Sequence, residues 1–308
     1  MKPRRRQGSF ILSLDLEMAW GVVDVTNEKD ITRENLDSLQ LLRSILSLCD
    51  SYKVKTTVAV VGALLDPEFD IEDWPNTPKL CMVRNLLVKR PDLIEIFNRP
   101  ELLEVIMSTG NHELASHTYF HTNFLDEGGF DINKLDFAKF SDLNLRLKSE
   151  VESIVFPRNQ YNADLLQLCL LHGFKYFRGN QNRFWYRTRS SNRQIPLIKS
   201  LRLADSFVPF AGFGTFEVAT SALTNVPASL FFRQFSGFKA CINPIVLLRI
   251  KAGMFVAALT GRNFQLWWHP HNFCLNSVDS LVRLERILSF YMFLKKRFNF
   301  NSKMIREL

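Results

Sequence analysis

The chain has 308 residues, 46% hydrophobic and 23% charged, enough apolar material for a sizeable core and too little bias for a disordered chain. Its net charge of +8 gathers in Lys2, Arg4, Arg5 and Arg6, and in the run from Arg178 through Arg183, Arg187, Arg189, Arg193, Lys199 and Arg202; no helix-turn-helix, zinc-finger or RNP-type pattern accompanies it, which argues against a nucleic-acid partner. Five cysteines, an odd number with no CxxC pair, argue against both a disulfide framework and a cysteine zinc site.

Residues 9–17, SFILSLDLE, form a short apolar run interrupted by Asp15 and Glu17, which predicts a buried parallel strand, not a signal peptide. Helical spacing of Leu36, Leu39, Leu42, Ile45, Leu46 and Cys49 predicts a helix over 32–52. The β-branched run 55–62 predicts a second strand. Five prolines break residues 66–100, which read as a long connection with short helices. Pro100 opens a helix that Gly110 ends. A strand comes next at 112–118, then a helix at 133–152, a strand at 153–160 and a helix at 163–171 closed by Gly173. Residues 174–179 read as a strand, and 180–238 as an irregular insertion of short strands and loops. A helix at 244–259, a strand at 264–268 and a last helix at 278–298 complete the chain. No run approaches 18 uninterrupted apolar residues, so no membrane span is expected. A cytoplasmic protein fits these features. The basic run reads first as a solvated face, and contact with the inner surface of a membrane is the alternative.

Alternation of strand and helix predicts a single α/β domain over 1–308 with a mostly parallel sheet. In such a barrel the reactive groups gather at the carboxyl ends of the strands. Polar side chains stand at those ends here: Asp15, Glu17, His117, Arg158 and His269.

Asp15 and Glu17 lie two apart, so a regular strand turns both to one side. Burying two carboxylates is costly unless they are paired or hold a metal; a strand ending at Leu14 would leave them merely solvated. His117 and His121 have the H-x3-H spacing, which in a helical turn brings both imidazoles to one ion. The longer pattern HExxxH has one residue too many for a zincin metalloprotease. In FPRNQ, Arg158 can hold a carboxylate by a bidentate pair or stand in solvent. His269 ends the aromatic strand LWW, where it can act as a general acid or serve as a structural histidine. Its neighbour Trp268 can stack on a sugar ring or pack in the core. His172, beside Gly173, reads as a helix cap.

In this order the four elements SLDLE, HTYFH, FPRNQ and LWWHP resemble the NodB-homology polysaccharide deacetylases, carbohydrate esterase family 4. The match runs over about residues 9–273. The resemblance implies a distorted (β/α) barrel of mostly parallel strands and a metal-dependent deacetylase acting on an N-acetylated sugar in surface polysaccharide biosynthesis. It implies Asp15 as the base, His117 and His121 as metal ligands, Arg158 as the residue that orients the base, and His269 as the general acid. The family's third ligand is an aspartate next to the base; Leu16 stands there, so the ligand is assigned to Glu17. The family's Asp-Trp motif is not visible, and Asp205 is the candidate acid behind His269. Asn159, Gln160, Tyr161 and Trp268 are the candidate substrate-binding residues, the backbone N–H groups of 159–161 facing the developing oxyanion. The implied cofactor is a divalent ion, zinc first, with cobalt as a substitute. A glycan or a lipid- or nucleotide-linked sugar precursor would be the partner. A related hydrolase of small cyclic amides or ureides, and a glycan-binding barrel without turnover, are the alternatives.

Overall fold

The computed structural model describes residues 7–24, 31, 38–72, 74–126, 129–188, 196–210 and 212–308. In chain order the elements are β1 (Ser9–Leu16), α1 (Ser38–Ser51), β2 (Thr56–Val60), α2 (Gly62–Leu65), α3 (Pro78–Lys89), α4 (Leu102–Met107), β3 (His112–Ser116), α5 (Phe130–Arg146) and β4 (Ser153–Val155). Then come α6 (Ala163–Leu171), β5 (Tyr176–Arg178), α7 (Pro196–Asp205), β6 (Thr224–Asn225), β7 (Leu230–Phe231), α8 (Asn243–Thr260), β8 (Phe264–Trp268), α9 (Ser277–Phe298) and β9 (Asn301–Lys303). The strands order as β6-β5-β4-β3-β2-β1-β8-β7, and β9 joins the start of β1. Every pairing between these strands is parallel. The sheet is a distorted (β/α) barrel, as the resemblance implies, and its strands are parallel, as the alternation of elements predicts.

Strand β1 is buried at every position. Its even-numbered residues Phe10, Leu12, Leu14 and Leu16 join the large core shared with the helices. Ile11 faces the other way, into a small inner cluster with Ala59, Ala115, Val155 and Ile305. Period-two alternation puts Ser13 and Asp15 on that inner face too. The interior is therefore apolar in its middle and polar toward the carboxyl ends of the strands. Its opposite end is closed by Glu113, which accepts from Thr57 Oγ1 at 2.7 Å, from Ser153 Oγ, and from the backbone N–H of Arg306 at 3.3 Å. Burial raises the Glu113 pKa, and the glutamate of HExxxH thus serves the floor of the barrel, away from its mouth.

Two helices depart from expectation for one reason. Pro78, one of the five prolines read as breaking 66–100, stands at the first position of α3, and Pro196, in the stretch read as short strands and loops, at the first position of α7. There the missing N–H costs nothing and the fixed φ suits the helix. In α3 the Thr77 hydroxyl caps the turn by accepting from Leu80 N at 3.3 Å. Helix α5 ends at Arg146, short of the expected boundary, and Lys148 beyond it has φ of 48°. The first residues of the expected 32–52 helix, and Arg189 and Arg193 of the basic run, lie outside the described residues, as do Lys2 to Arg6. The run Gly237–Thr260 is long and apolar enough to cross a membrane by length and composition, with 44% of its window buried; in the structure α8 packs against α9 and the sheet.

Candidate active site

Three chain segments meet at the mouth of the barrel. The first is the end of β1, where Asp15 faces inward and the chain then turns through a short 3-10 helix, Met18–Gly21. That turn folds Glu17 back over the mouth. A Cβ on Gly21 would lie 2.0 Å from Glu17 Oε1, so the absent side chain at 21 is what leaves room for the carboxylate.

The second segment is the loop after β3. Residues 117–121 are not a helical turn, as the spacing suggests; Thr118 and His121 have φ of 65° and 53°. Left-handed conformations at non-glycine residues cost about 1–3 kcal/mol each and persist only when their surroundings hold them. Here Asp136 on α5 holds the loop, accepting from Tyr119 N at 2.7 Å, Phe120 N at 3.0 Å and Thr122 Oγ1 at 2.7 Å. Gly62 N and Ala63 N at the start of α2 donate to the Thr118 and Tyr119 carbonyls at 2.8 and 3.0 Å. The result is a pair of imidazoles with ring centroids 5.0 Å apart.

Each ring is fixed from behind. His117 Nδ1 donates to the Val155 carbonyl at 2.8 Å, which leaves Nε2 as the lone-pair nitrogen facing the mouth. Lys79, delivered by α3 and 1% exposed, places Nζ 2.6 Å from His121 Nδ1 and donates to the His121 carbonyl at 2.9 Å. Glu17 Oε2 lies 3.3 Å from His117 Nε2 and 2.8 Å from His121 Nε2. Glu17, His117 and His121 thus present ligand atoms within 4.8 Å of one another, and Glu17 forms a second such group with His269 and His271.

The donor set fits a divalent cation. Burial and the nearby Lys79 charge depress the His121 pKa to about 3, so this ring is neutral at physiological pH. Burial alone would raise the Glu17 pKa, but the surrounding histidines His269, His121 and His117 hold it well below the usual carboxylate range. Neutral imidazole and ionised carboxylate are the forms a metal requires, and two histidines with one carboxylate leave positions for water and substrate.

The third segment is β8 and the turn beyond it. His269 Nε2 stands 3.5 Å from Glu17 Oε1 and 3.8 Å from Asp15 Oδ2, while its Nδ1 is 3.3 Å from Asn272 Oδ1. His271 stacks on it with centroids 5.2 Å apart, and burial with the His269 charge lowers the His271 pKa to about 4.

Asp15 is clamped by Arg178 at the end of β5. Two bonds of 2.6 Å join Nη1 and Nη2 to the two carboxylate oxygens. The guanidinium also reaches Ser13 Oγ at 3.2 Å and Asn159 Oδ1 at 3.1 Å, and lies 4.2 Å from the Trp267 ring centroid. Burial would raise the Asp15 pKa; the Arg178 pair, with His117 and His269 nearby, brings it below the ordinary value.

Several sequence assignments are corrected by this geometry. The bidentate partner of Asp15 is Arg178, not Arg158; Arg158 pairs with Asp24 at 2.5 Å and has φ of 53°. Asn159 contributes through its side chain. The N–H groups of Asn159 and Gln160 are consumed by the turn, donating to Phe156 O at 2.9 Å and Pro157 O at 3.0 Å, so neither is aimed at an oxyanion. Gln160 is buried against Asp126 at 2.9 Å. The Tyr161 ring packs on Phe156 and Phe177, and its hydroxyl accepts from Asn180 N at 3.1 Å. Trp268 is fully buried against Phe273 and Phe232; alternation turns Trp267, not Trp268, to the inner face with His269. Asp205 is remote from His269 in its bonding: it accepts from Tyr186 Oη at 2.9 Å, and its carbonyl accepts from Arg249 Nε at 3.2 Å.

Residues absent from the sequence reading of the site are Arg178, Lys79, Asp136, Gly21, Trp267 and His271. A signal existed for Arg178: a cation closing the apolar strand FKYFRG needs a buried anion. The Thr-Pro-Lys run carried the signal for α3 and hence Lys79.

The architecture has solved counterparts. The PuuE allantoinase superposes with a TM-score of 0.59 at 11% identity, covering 99% of this chain and 90% of that one. A Mycobacterium smegmatis protein described as a polysaccharide deacetylase gives 0.56 at 13% identity, over 95% of this chain and 87% of that one. Another so described, from Pseudomonas aeruginosa PAO1, gives 0.56 at 11%, over 98% and 89%. The chain shares the fold of these three proteins. No protein-family model and no curated protein sequence matches it, so the likeness is one of architecture.

Proposed function

We propose that the protein is a metal-dependent hydrolase that removes the acetyl group from an N-acetylated sugar, carried free or on a lipid or nucleotide in surface polysaccharide synthesis. The observation that carries this reading is the convergence of Glu17, His117 and His121 beside an arginine-clamped Asp15 and a mouth-facing His269. A divalent ion held by Glu17, His117 and His121, zinc in the first instance, would polarise the acetamide carbonyl and make a bound water acidic.

Asp15 takes the proton of the attacking water. Arg178 keeps it ionised and fixes the direction of its lone pairs. His269 lies within 4 Å of both carboxylates, where it gives a proton to the departing amine. Trp267 and Phe231, in ring contact with His269, offer apolar faces for a pyranose ring. Acetate and a free amino sugar leave.

Acetate release from N-acetylhexosamine oligomers and from a nucleotide-linked N-acetylhexosamine tests this directly, with allantoin as the competing amide. Chelator abolishes release, and zinc or cobalt restores it. Turnover of allantoin with no acetate from any sugar assigns the same site to small cyclic amides. No turnover of either by metal-loaded protein refutes the hydrolase reading.

A further inference from the structure

The positive charge of this protein is concentrated in one stretch of sequence. Residues 179–251 contain ten Lys and Arg against two Asp and Glu, which accounts for the entire net +8 of the chain. Its described residues supply loops beyond the carboxyl ends of β5 and β7 and the first turns of α8. Because β5, β7 and β8 are parallel to their neighbours, these parts surround the mouth that holds the candidate active site.

They form one connected block. Trp185 packs on Phe210 with centroids 5.4 Å apart, and its carbonyl accepts from Arg202 Nε on α7 at 2.5 Å. Arg233 Nε donates to Ser206 Oγ at 3.0 Å, and Phe207 packs on Phe235. The Phe235 backbone exchanges two bonds with the Asn243 side chain at the start of α8. Arg249 on α8 reaches back to the Asp205 carbonyl.

On its outside the block carries Leu197, Val208, Phe210, Phe238, Ile245 and Leu248, each half or more exposed, with Phe238 at 87%. Among them stand the exposed cations Arg187, Lys199 and Lys239, the Lys239 ammonium lying 5.6 Å from the Phe238 ring centroid. Large apolar side chains interleaved with cations, with almost no acidic residue between them, complement an anionic interface whose interior is apolar. An apolar protein surface would be complementary to the six hydrophobic residues but not to the charge.

We propose that this rim docks on an anionic lipid bilayer surface. The apolar side chains enter the headgroup region, the cations meet lipid phosphates, and the barrel mouth opens along the membrane plane. A sugar carried on a membrane lipid is then the substrate form that reaches the site. That last clause rests on the deacetylase reading; the docking itself does not.

The test is sedimentation of the full chain with phosphatidylcholine vesicles, with and without phosphatidylglycerol, alongside hydrolysis of a water-soluble acetamido substrate. Binding is expected only with phosphatidylglycerol, and high salt should weaken it. The double variant Phe238→Glu/Leu248→Glu should bind about tenfold more weakly, with its soluble-substrate hydrolysis unchanged. Lys199→Glu/Lys239→Glu, which alters no apolar group, provides an independent arm if the first variant folds poorly. Wild-type protein that stays in the supernatant overturns the proposal. So does a protein that dimerises through Phe238 and Leu248, as light scattering would show, while ignoring vesicles. Vesicle binding by a protein with no hydrolase activity would leave the docking standing and refute the deacetylase reading alone.

Discussion

The barrel has a long-strand half and a short-strand half. Strands β1, β2, β3 and β8 run five to eight residues, and the polar groups of the candidate site stand at or just beyond their ends: Asp15, Glu17, the His117–His121 loop and His269. Strands β4 to β7 run two or three residues, and the long loops beyond β5 and β7 build the rim. A charged side chain crosses between the halves. Arg178 leaves β5, is fully buried, and closes on Asp15. Regular strands thus place the reacting groups, and the irregular half supplies one counter-ion and a surface.

The sharpest way to break that division is to separate the two carboxylates of β1. Asp15→Asn should lower acetate release by about 100- to 10,000-fold, the range for loss of a general base, with metal content unchanged by elemental analysis. Loss of metal with activity would make Asp15 a ligand. Arg178→Met should come next in size. Removing one partner of a buried ion pair costs about 3–5 kcal/mol, readable as a lower midpoint in urea. Arg158→Met, the matching change one strand earlier and partly exposed, should cost no more than about 1 kcal/mol. Equal effects would erase the distinction between the ends of β4 and β5.

Much of the long-strand half is legible in the sequence. A short apolar run ending in two acids, a strand before HTYFH and an aromatic strand before His269 all carry enough residues to show their period. The short half is not. Strands of two or three residues carry no periodicity, and Pro196 hides α7 as Pro78 hides α3. Arg178 could be counted as a charge, but whether it faces Asp15 depends on which way a three-residue strand is turned. Trp267 and Trp268 were separable in principle, since counting back by two from His269 selects Trp267.

Smaller effects sharpen the same picture. The folded-state pKa of His121, about 3, and of His271, about 4, lie below the ordinary 6.5. The unfolded chain therefore takes up these protons first. Each histidine's contribution is complete above pH 6.5 and is lost as pH falls toward its folded value, at about 1.4 kcal/mol per pH unit. Urea titrations between pH 7 and pH 4 should show stability falling in this direction, and His271→Asn should lessen the fall. Gly21→Ala should weaken metal binding by about tenfold, because a Cβ there would run into the Glu17 carboxylate, in line with other changes that disturb a ligand's support.

The central claim is that Glu17, His117 and His121 hold one cation together. Visible absorption during cobalt titration of the stripped protein tests it most directly. The account predicts ligand-field bands that saturate at one equivalent in the wild type and are lost in Glu17→Gln and in His121→Asn. Bands that persist unchanged in both variants, or a wild type that binds no cobalt, would contradict it.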